Sequence, residues 1–156
     1  KLQKPRTEGG RSEMANSWWE GLKRTYKDRG VEFSEGEIAD GIPLPKELFD
    51  SAADNLLQNA LEKRKLGEAI GVKAEFSCAE AIEFSVSDSG EPVPADVLQG
   101  LLRAPVRSSS GFGVGLYQIG RLAETSGFSL RLTSNERGAV CFTLRGDASG
   151  REARPA

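Results

Sequence analysis

Histidine is absent from all 156 residues, which excludes Ser-His-Asp and Cys-His catalysis and most transition-metal sites. Cysteine is scarce. Cys78 and Cys141 stand far apart in apolar, alternating segments and read as reduced, buried thiols, not as a disulfide or a metal pair. Neither charge is in excess: Lys and Arg number 21 against 23 Asp and Glu, a formal −2, so the basic stripe that nucleic acid demands is missing. No apolar run approaches the roughly 20 residues that span a bilayer, and the first residues lack the apolar core of a secretory signal. The sequence reads as that of a soluble chain. The chemistry left open runs on carboxylates, amides, glycines and lysines.

What is present suffices for one domain with a single core. Residues 1–13 are polar and rich in Gly and Arg, and residues 147–156 are similar; both read as disordered ends around a domain spanning 14–146. Trp18, Trp19, Leu22 and Tyr26 repeat at helical spacing up to a stop at Arg29-Gly30. A short strand over 31–34 is expected next. A helix opened by Pro45 then runs to about Lys65, with Phe49, Ala52, Leu56 and Ala60 on its buried face. Val72, Ala74, Phe76 and Cys78 alternate with polar residues, as do Ile82, Phe84 and Val86, which predicts an antiparallel hairpin with one wet face. A short helix over 94–102, a Ser/Gly loop over 108–115 and a helix over 116–124 follow. Phe128, Leu130 and Leu132 pair with Val140, Phe142 and Leu144 across a loop holding Asn135 and Gly138. Strands accompanied by helices able to cover one sheet face predict a two-layer α/β sandwich.

Three segments carry chemistry. On the long helix, Asn55 and Asn59 are four residues apart, so their amides share a face that Glu62 and Lys63 continue. Carboxamide oxygens are hard, neutral ligands suited to a Mg²⁺ ion that shares phosphate oxygens, although the spacing alone favours two asparagines that simply face water. Asp88-Ser89-Gly90 follows a strand, and the parity of Ile82, Phe84 and Val86 turns Asp88 towards the apolar side. There a carboxylate needs a donor such as an exocyclic amino group; the same tripeptide is also an ordinary turn in which Asp bonds its own backbone. Gly111-Phe112-Gly113-Val114-Gly115-Leu116 opens a helix. Alternate glycines and a helix N-terminus offer backbone N–H groups and partial positive charge to a phosphate. The run is neither a P-loop nor a dinucleotide fingerprint, since the lysine of the one and the third glycine of the other are missing.

In order and spacing these segments resemble the ATPase superfamily shared by histidine kinases, gyrase-type topoisomerases, Hsp90-type chaperones and MutL-type repair proteins. The resemblance covers residues 18–144. The segment from Asn55 to Ala60 is similar to the N box of the catalytic ATP-binding domain of bacterial two-component sensor histidine kinases. Asp88-Ser89-Gly90 is similar to its G1 box, and Gly111 to Leu116 to its G2 box. The resemblance implies a Bergerat-type fold, with a mixed, largely antiparallel sheet covered on one face by helices. Its cofactors are ATP and Mg²⁺: Asn59 ligands the ion with help from Asn55, the two acting as the catalytic pair, and Asp88 receives the adenine amino group. Gly90 lets the chain pass the base, and Lys63 contacts phosphate. Ser109, Ser110, Gly111, Phe112, Gly113, Val114, Gly115 and Leu116 wrap the triphosphate, with residues 107–110 in a lid. Two departures stand out: Pro92 takes the place of a second G1 glycine, and Leu101-Leu102 and Pro105-Val106 stand where the family carries a phenylalanine pair.

Hydrolysing members of that superfamily place a carboxylate one helical turn before the Mg²⁺-binding asparagine. Asn55 holds that position here and cannot usefully accept a proton, while Asp54 is rotated by about 100° around the helix. The resemblance therefore points to a kinase. With no histidine of its own, the chain implies an acceptor histidine on a dimerisation domain elsewhere in the same protein and relay to a response regulator. It further implies a cytoplasmic domain of a protein anchored in the bacterial inner membrane, with no nucleic-acid or direct membrane contact of its own. Two other readings stay open: a non-catalytic nucleotide- or protein-binding module of the same fold, and an anti-sigma-factor serine kinase.

Overall fold

The computed structural model describes residues 11–66, 69–94 and 112–148. Its elements are β1 (Ser12–Met14), α1 (Ala15–Thr25), β2 (Val31–Ile38), β3 (Pro43–Pro45), α2 (Lys46–Glu62), a 3-10 turn (Lys63–Leu66), β4 (Val72–Cys78), β5 (Ala81–Asp88), α3 (Phe112–Thr125), β6 (Phe128–Glu136) and β7 (Ala139–Asp147). The expected helix over 94–102 and the lid over 107–110 lie outside the described residues. So do residues 1–10 and 149–156 of the expected ends.

Alternation makes the sheet. Val72, Ala74, Phe76 and Cys78 on β4 and Ile82, Phe84 and Val86 on β5 are all buried, and the antiparallel register sets Phe76 opposite Phe84 and Val72 opposite Asp88. Beyond β5 the pairing passes to β7, with Phe84 opposite Leu144, and then to β6, with Leu130 opposite Leu144. On the other side β2 pairs parallel with β4, Val31 opposite Val72, because the chain crosses over through β3 and α2 between them. The five-stranded order is β2-β4-β5-β7-β6. The sheet is mixed and mostly antiparallel, as expected. Its polar face carries a hydroxyl ladder in which Thr143 Oγ1 lies 3.1 Å from Ser85 Oγ and 3.0 Å from Thr133 Oγ1.

The helices bury the other face. From α2 come Leu48, Phe49, Ala52, Ala53, Leu56, Leu57, Ala60 and Leu61, and from α3 Leu116, Ile119 and Ala123. Trp18 and Trp19 of α1 enter the same core. Trp19 stacks on Phe76 at 5.3 Å and meets Phe33 edge-on at 5.6 Å. Buried indoles need acceptors: Trp18 Nε1 donates to Asp50 Oδ1 at 3.1 Å and Trp19 Nε1 to Glu35 Oε1 at 2.5 Å. Cys78 is free and buried, and burial pushes its thiol up in pKa; Cys141 is free and half-buried. Among the described residues no helix is long and apolar enough to cross a membrane.

Several boundaries differ from expectation for physical reasons. The strand expected over 31–34 continues to Ile38, which pairs with Cys78 beyond an irregularity after Glu35. Ser12 and Glu13 belong to β1, paired with Pro45 and Leu44. That pairing keeps Pro45 extended, so it precedes α2 as the cap instead of opening it. Asn135 lies within β6, opposite Val140. The tight turn needs only Arg137 and Gly138, whose φ of +86° suits glycine. The last helix starts at Phe112, four residues before Leu116, so most of the glycine run is helical.

Candidate functional site

The polar stripe of α2 organises the site. Asn55, Asn59 and Lys63 follow one another at intervals of four, which places them along one face over about 12 Å. Asn55 Nδ2 donates to the Ser51 carbonyl at 3.0 Å, which commits the amide nitrogen and leaves Oδ1 facing α3. There α3 comes very close, since a Cβ on Gly115 would stand 2.2 Å from Asn55 Oδ1. Glycine is what permits this approach. The amide of Asn59 is half-buried and has no hydrogen-bond partner among the described residues.

At the far end of the stripe sits Asp88. Its side chain is only 8% exposed, as the strand parity predicts. The turn reading and the inward reading prove compatible: one carboxylate oxygen, Oδ1, accepts from Gly90 N at 2.8 Å while the side chain lies on the core side. The partner is the surprise. Lys63 Nζ lies 2.9 Å from Asp88 Oδ1 and 3.1 Å from Oδ2, and also donates to the Glu91 carbonyl at 2.9 Å. The resemblance implies phosphate contact for Lys63, but here its ammonium is engaged at the acid. Gly90 is packed between them; an added Cβ would meet Lys63 Cδ at 3.0 Å and Asp88 Oδ1 and Ile70 Cδ1 at 3.1 Å.

Sequence reasoning missed Asn135. Its Oδ1 accepts from Val93 N at 2.7 Å and its Nδ2 donates to Val93 O at 3.1 Å. With Gly138 N donating to Gly90 O at 3.0 Å and Arg137 paired to Glu91, the β6–β7 turn, like Lys63, holds the segment after Asp88. An asparagine three residues before a turn glycine is the signal that could have marked it.

The remaining site residues divide. Leu116 is fully buried in the core, so any contact it makes to a ligand is through its backbone. This follows from its helical spacing with Ile119 and Ala123. Phe112, Gly113 and Val114 lie in the first turn of α3. Ser109, Ser110 and Gly111 lie outside the described residues. Asn55 and Gly115 share a cleft of about 360 Å³ with Glu47, Ser51, Gln118 and Arg121. Asp88 borders a separate cavity of about 250 Å³. The chain between Pro94 and Phe112, which joins these two ends in sequence, lies outside the described residues. Asp54 is exposed and lines a different cleft with Trp18 and Tyr26, away from Asn55. Among the described residues no three Cys, Asp or Glu side chains converge as a metal cage.

The family profile of histidine kinase-, DNA gyrase B- and HSP90-like ATPases matches residues 45–149, more than half of the chain. The chain belongs to this ATPase family. Among relatives of this histidine kinase-, gyrase- and HSP90-like group, the adaptive-response sensory kinase SasA of Parasynechococcus marenigrum (strain WH8102) is 33% identical over 134 residues, covering 79% of this chain and 34% of that protein. SasA of Prochlorococcus marinus (strain MIT 9303) is 28% identical over 134 residues, covering 79% of this chain and 35% of the relative. The chain thus spans about a third of the length of the curated relatives it matches. In fold it is similar to the nucleotide-free catalytic domain of histidine kinase ThkA, with a TM-score of 0.66, 18% identity and coverage of 88% of this chain and 96% of that one. Full-length ShkA in complex with AMPPNP gives a TM-score of 0.66 at 20% identity, covering 90% of this chain and 32% of that one. The architecture is that of histidine kinase catalytic domains.

Proposed function

We propose that this ATPase-family domain holds Mg-ATP along α2 and passes the γ-phosphate to a histidine on a separate dimerisation domain, for relay to a response regulator. The observation that carries the reading is the polar stripe of Asn55, Asn59 and Lys63 along α2 and its 3-10 extension, with Gly115 of α3 pressed against Asn55 at one end and Asp88 of β5 paired to Lys63 beside Gly90 at the other. Support also comes from the neighbours. The relatives are sensory kinases, ShkA was solved with AMPPNP, and ThkA was solved in complex with the response regulator TrrA.

The donor set fits a magnesium-chelated triphosphate. Asn59 offers an amide without a partner among the described residues, and Asn55 presents an oxygen whose nitrogen is already spent on Ser51. Hard neutral oxygens of this kind suit Mg²⁺, which when bound neutralises phosphate charge. The first turn of α3 supplies backbone N–H groups at a helix N-terminus, where phosphate is favoured. Asp88, acceptor-only when ionised, suits the adenine amino group. Asn55 is an amide and Asp54 faces another cleft, so no carboxylate of this turn stands ready to activate water. That favours transfer over hydrolysis. The acceptor comes from outside the sequence given, which has no histidine. The same reading puts the domain in the cytoplasm, where ATP is supplied.

Titration calorimetry tests this. Mg-ADP and Mg-ATP are expected to bind in the micromolar to millimolar range, with Asn59→Ala or Asp88→Ala weakening them by about tenfold or more. Mixing the domain with a histidine-bearing dimerisation domain and labelled ATP is expected to label the histidine. Absence of nucleotide binding by the unmodified domain overturns the proposal. Tight binding without transfer favours the non-catalytic module instead.

A further inference from the structure

We propose that Lys63 is a built-in competitor for the base-recognising acid, a latch that a nucleobase must lift from Asp88. The inference rests on the nucleotide reading above. Among the ion pairs of the described residues this one is the most enclosed, with side chains 21% and 8% exposed; the others lie nearer the solvent. All three ammonium protons are used, two on the Asp88 oxygens and one on the Glu91 carbonyl. Asp88 Oδ1 is further occupied by Gly90 N.

This leaves a base little of the carboxylate to bind. Gly90 packs tightly beside it, where a methyl group would stand 3.0 Å from the Lys63 stem and 3.1 Å from both Asp88 Oδ1 and Ile70 Cδ1. An exocyclic amine therefore reaches Asp88 by displacing the ammonium. The exchange swaps a charged donor for a neutral one, and charge-assisted bonds are the stronger kind, so the latch lowers affinity for the base. Lys63 also bridges the end of α2 to the backbone after β5, so its release loosens the Gly90–Glu91 segment just as the base arrives. Removing Lys63 has a second consequence: it leaves the enclosed acid unpaired, which destabilises the ligand-free domain.

The opposing signs make the test. Neutral adenosine isolates the base contact from the phosphates. Lys63→Met is expected to melt lower than the unmodified domain without ligand, yet to bind adenosine about tenfold more tightly and to gain more thermal stability from it. Lys63→Arg keeps a cation on Asp88 and is expected to bind adenosine no better than the unmodified domain. A merely structural lysine would lower stability and affinity together. Unchanged or weaker adenosine binding by folded Lys63→Met, with Mg-ATP still bound by the unmodified domain, overturns the latch alone. If the unmodified domain binds neither adenosine nor Mg-ATP, the latch and the nucleotide reading fall together.

Discussion

Gly115 shows how one missing methyl group can serve function more than stability. Alanine gains about 0.5–1 kcal/mol over glycine inside a helix. The methyl would overlap Asn55 Oδ1, and swinging that side chain aside costs about 0.5–1.5 kcal/mol in rotamer strain and a similar amount for the lost bond to Ser51. The balance is a loss of about 1 kcal/mol, or a few degrees of melting temperature. The amide oxygen, however, leaves its position. Gly115→Ala is therefore expected to stay folded by scanning calorimetry while its Mg-ADP affinity falls by about tenfold; retained affinity would show that the orientation of Asn55 is immaterial. At this scale the sequence was informative wherever periodicity governs. Asp88 points inward because its neighbours two and four positions back do. Lys63 as its partner was not legible, because the pair is 25 residues apart and depends on how the end of α2 meets the end of β5.

At the scale of elements, the β6–β7 hairpin acts on the site without forming part of the α2 stripe. Asn135 imitates a strand neighbour for Val93, offering one acceptor and one donor to a segment that has left the sheet. Asn135→Ala removes both bonds and is expected to cost about 1–2 kcal/mol. Amide exchange at Val93 should quicken more than exchange in the centre of β7. Equal acceleration throughout would mean the clamp is only a general packing feature. The hairpin was legible from alternation, but its turn was set too wide, because Asn135 reads as a loop residue when its side chain serves another segment. The helix boundary at Phe112 was missed for a related reason: glycines suggest a loop, yet this stretch continues into α3 with Gly115 pressed against α2.

Across the whole molecule, α1 is fastened to the sheet by Trp19 and Glu35. The Glu35 carboxyl is held below the usual carboxylate range first by the indole N–H and then by Lys23. A depressed native pKa contributes stability that is present above the unfolded value and lost as pH falls through the folded one. Glu35→Gln keeps an acceptor for the indole and removes the charge, so its melting temperature should vary less with pH below the ordinary carboxylate range. An unchanged acid profile would refute the link. The fold class was legible because alternation and helical spacing dominate the core. The parallel pairing of β2 with β4 was not, since no local pattern distinguishes it from another antiparallel neighbour. The resemblance supplied the mixed sheet that the residues alone left open.

The strand order carries one consequence for the life of the chain. Because β7 lies between β5 and β6, a ribosome releasing this chain from its N-terminal end delivers both neighbours before the strand that joins them. Until β7 emerges, β5 presents an unpaired hydrogen-bonding edge and α2 and α3 have no continuous floor. Assembly of the surface that α2 and α3 form must therefore wait for β7, the last strand of this sheet in chain order, and the nascent domain is most exposed to aggregation in that interval.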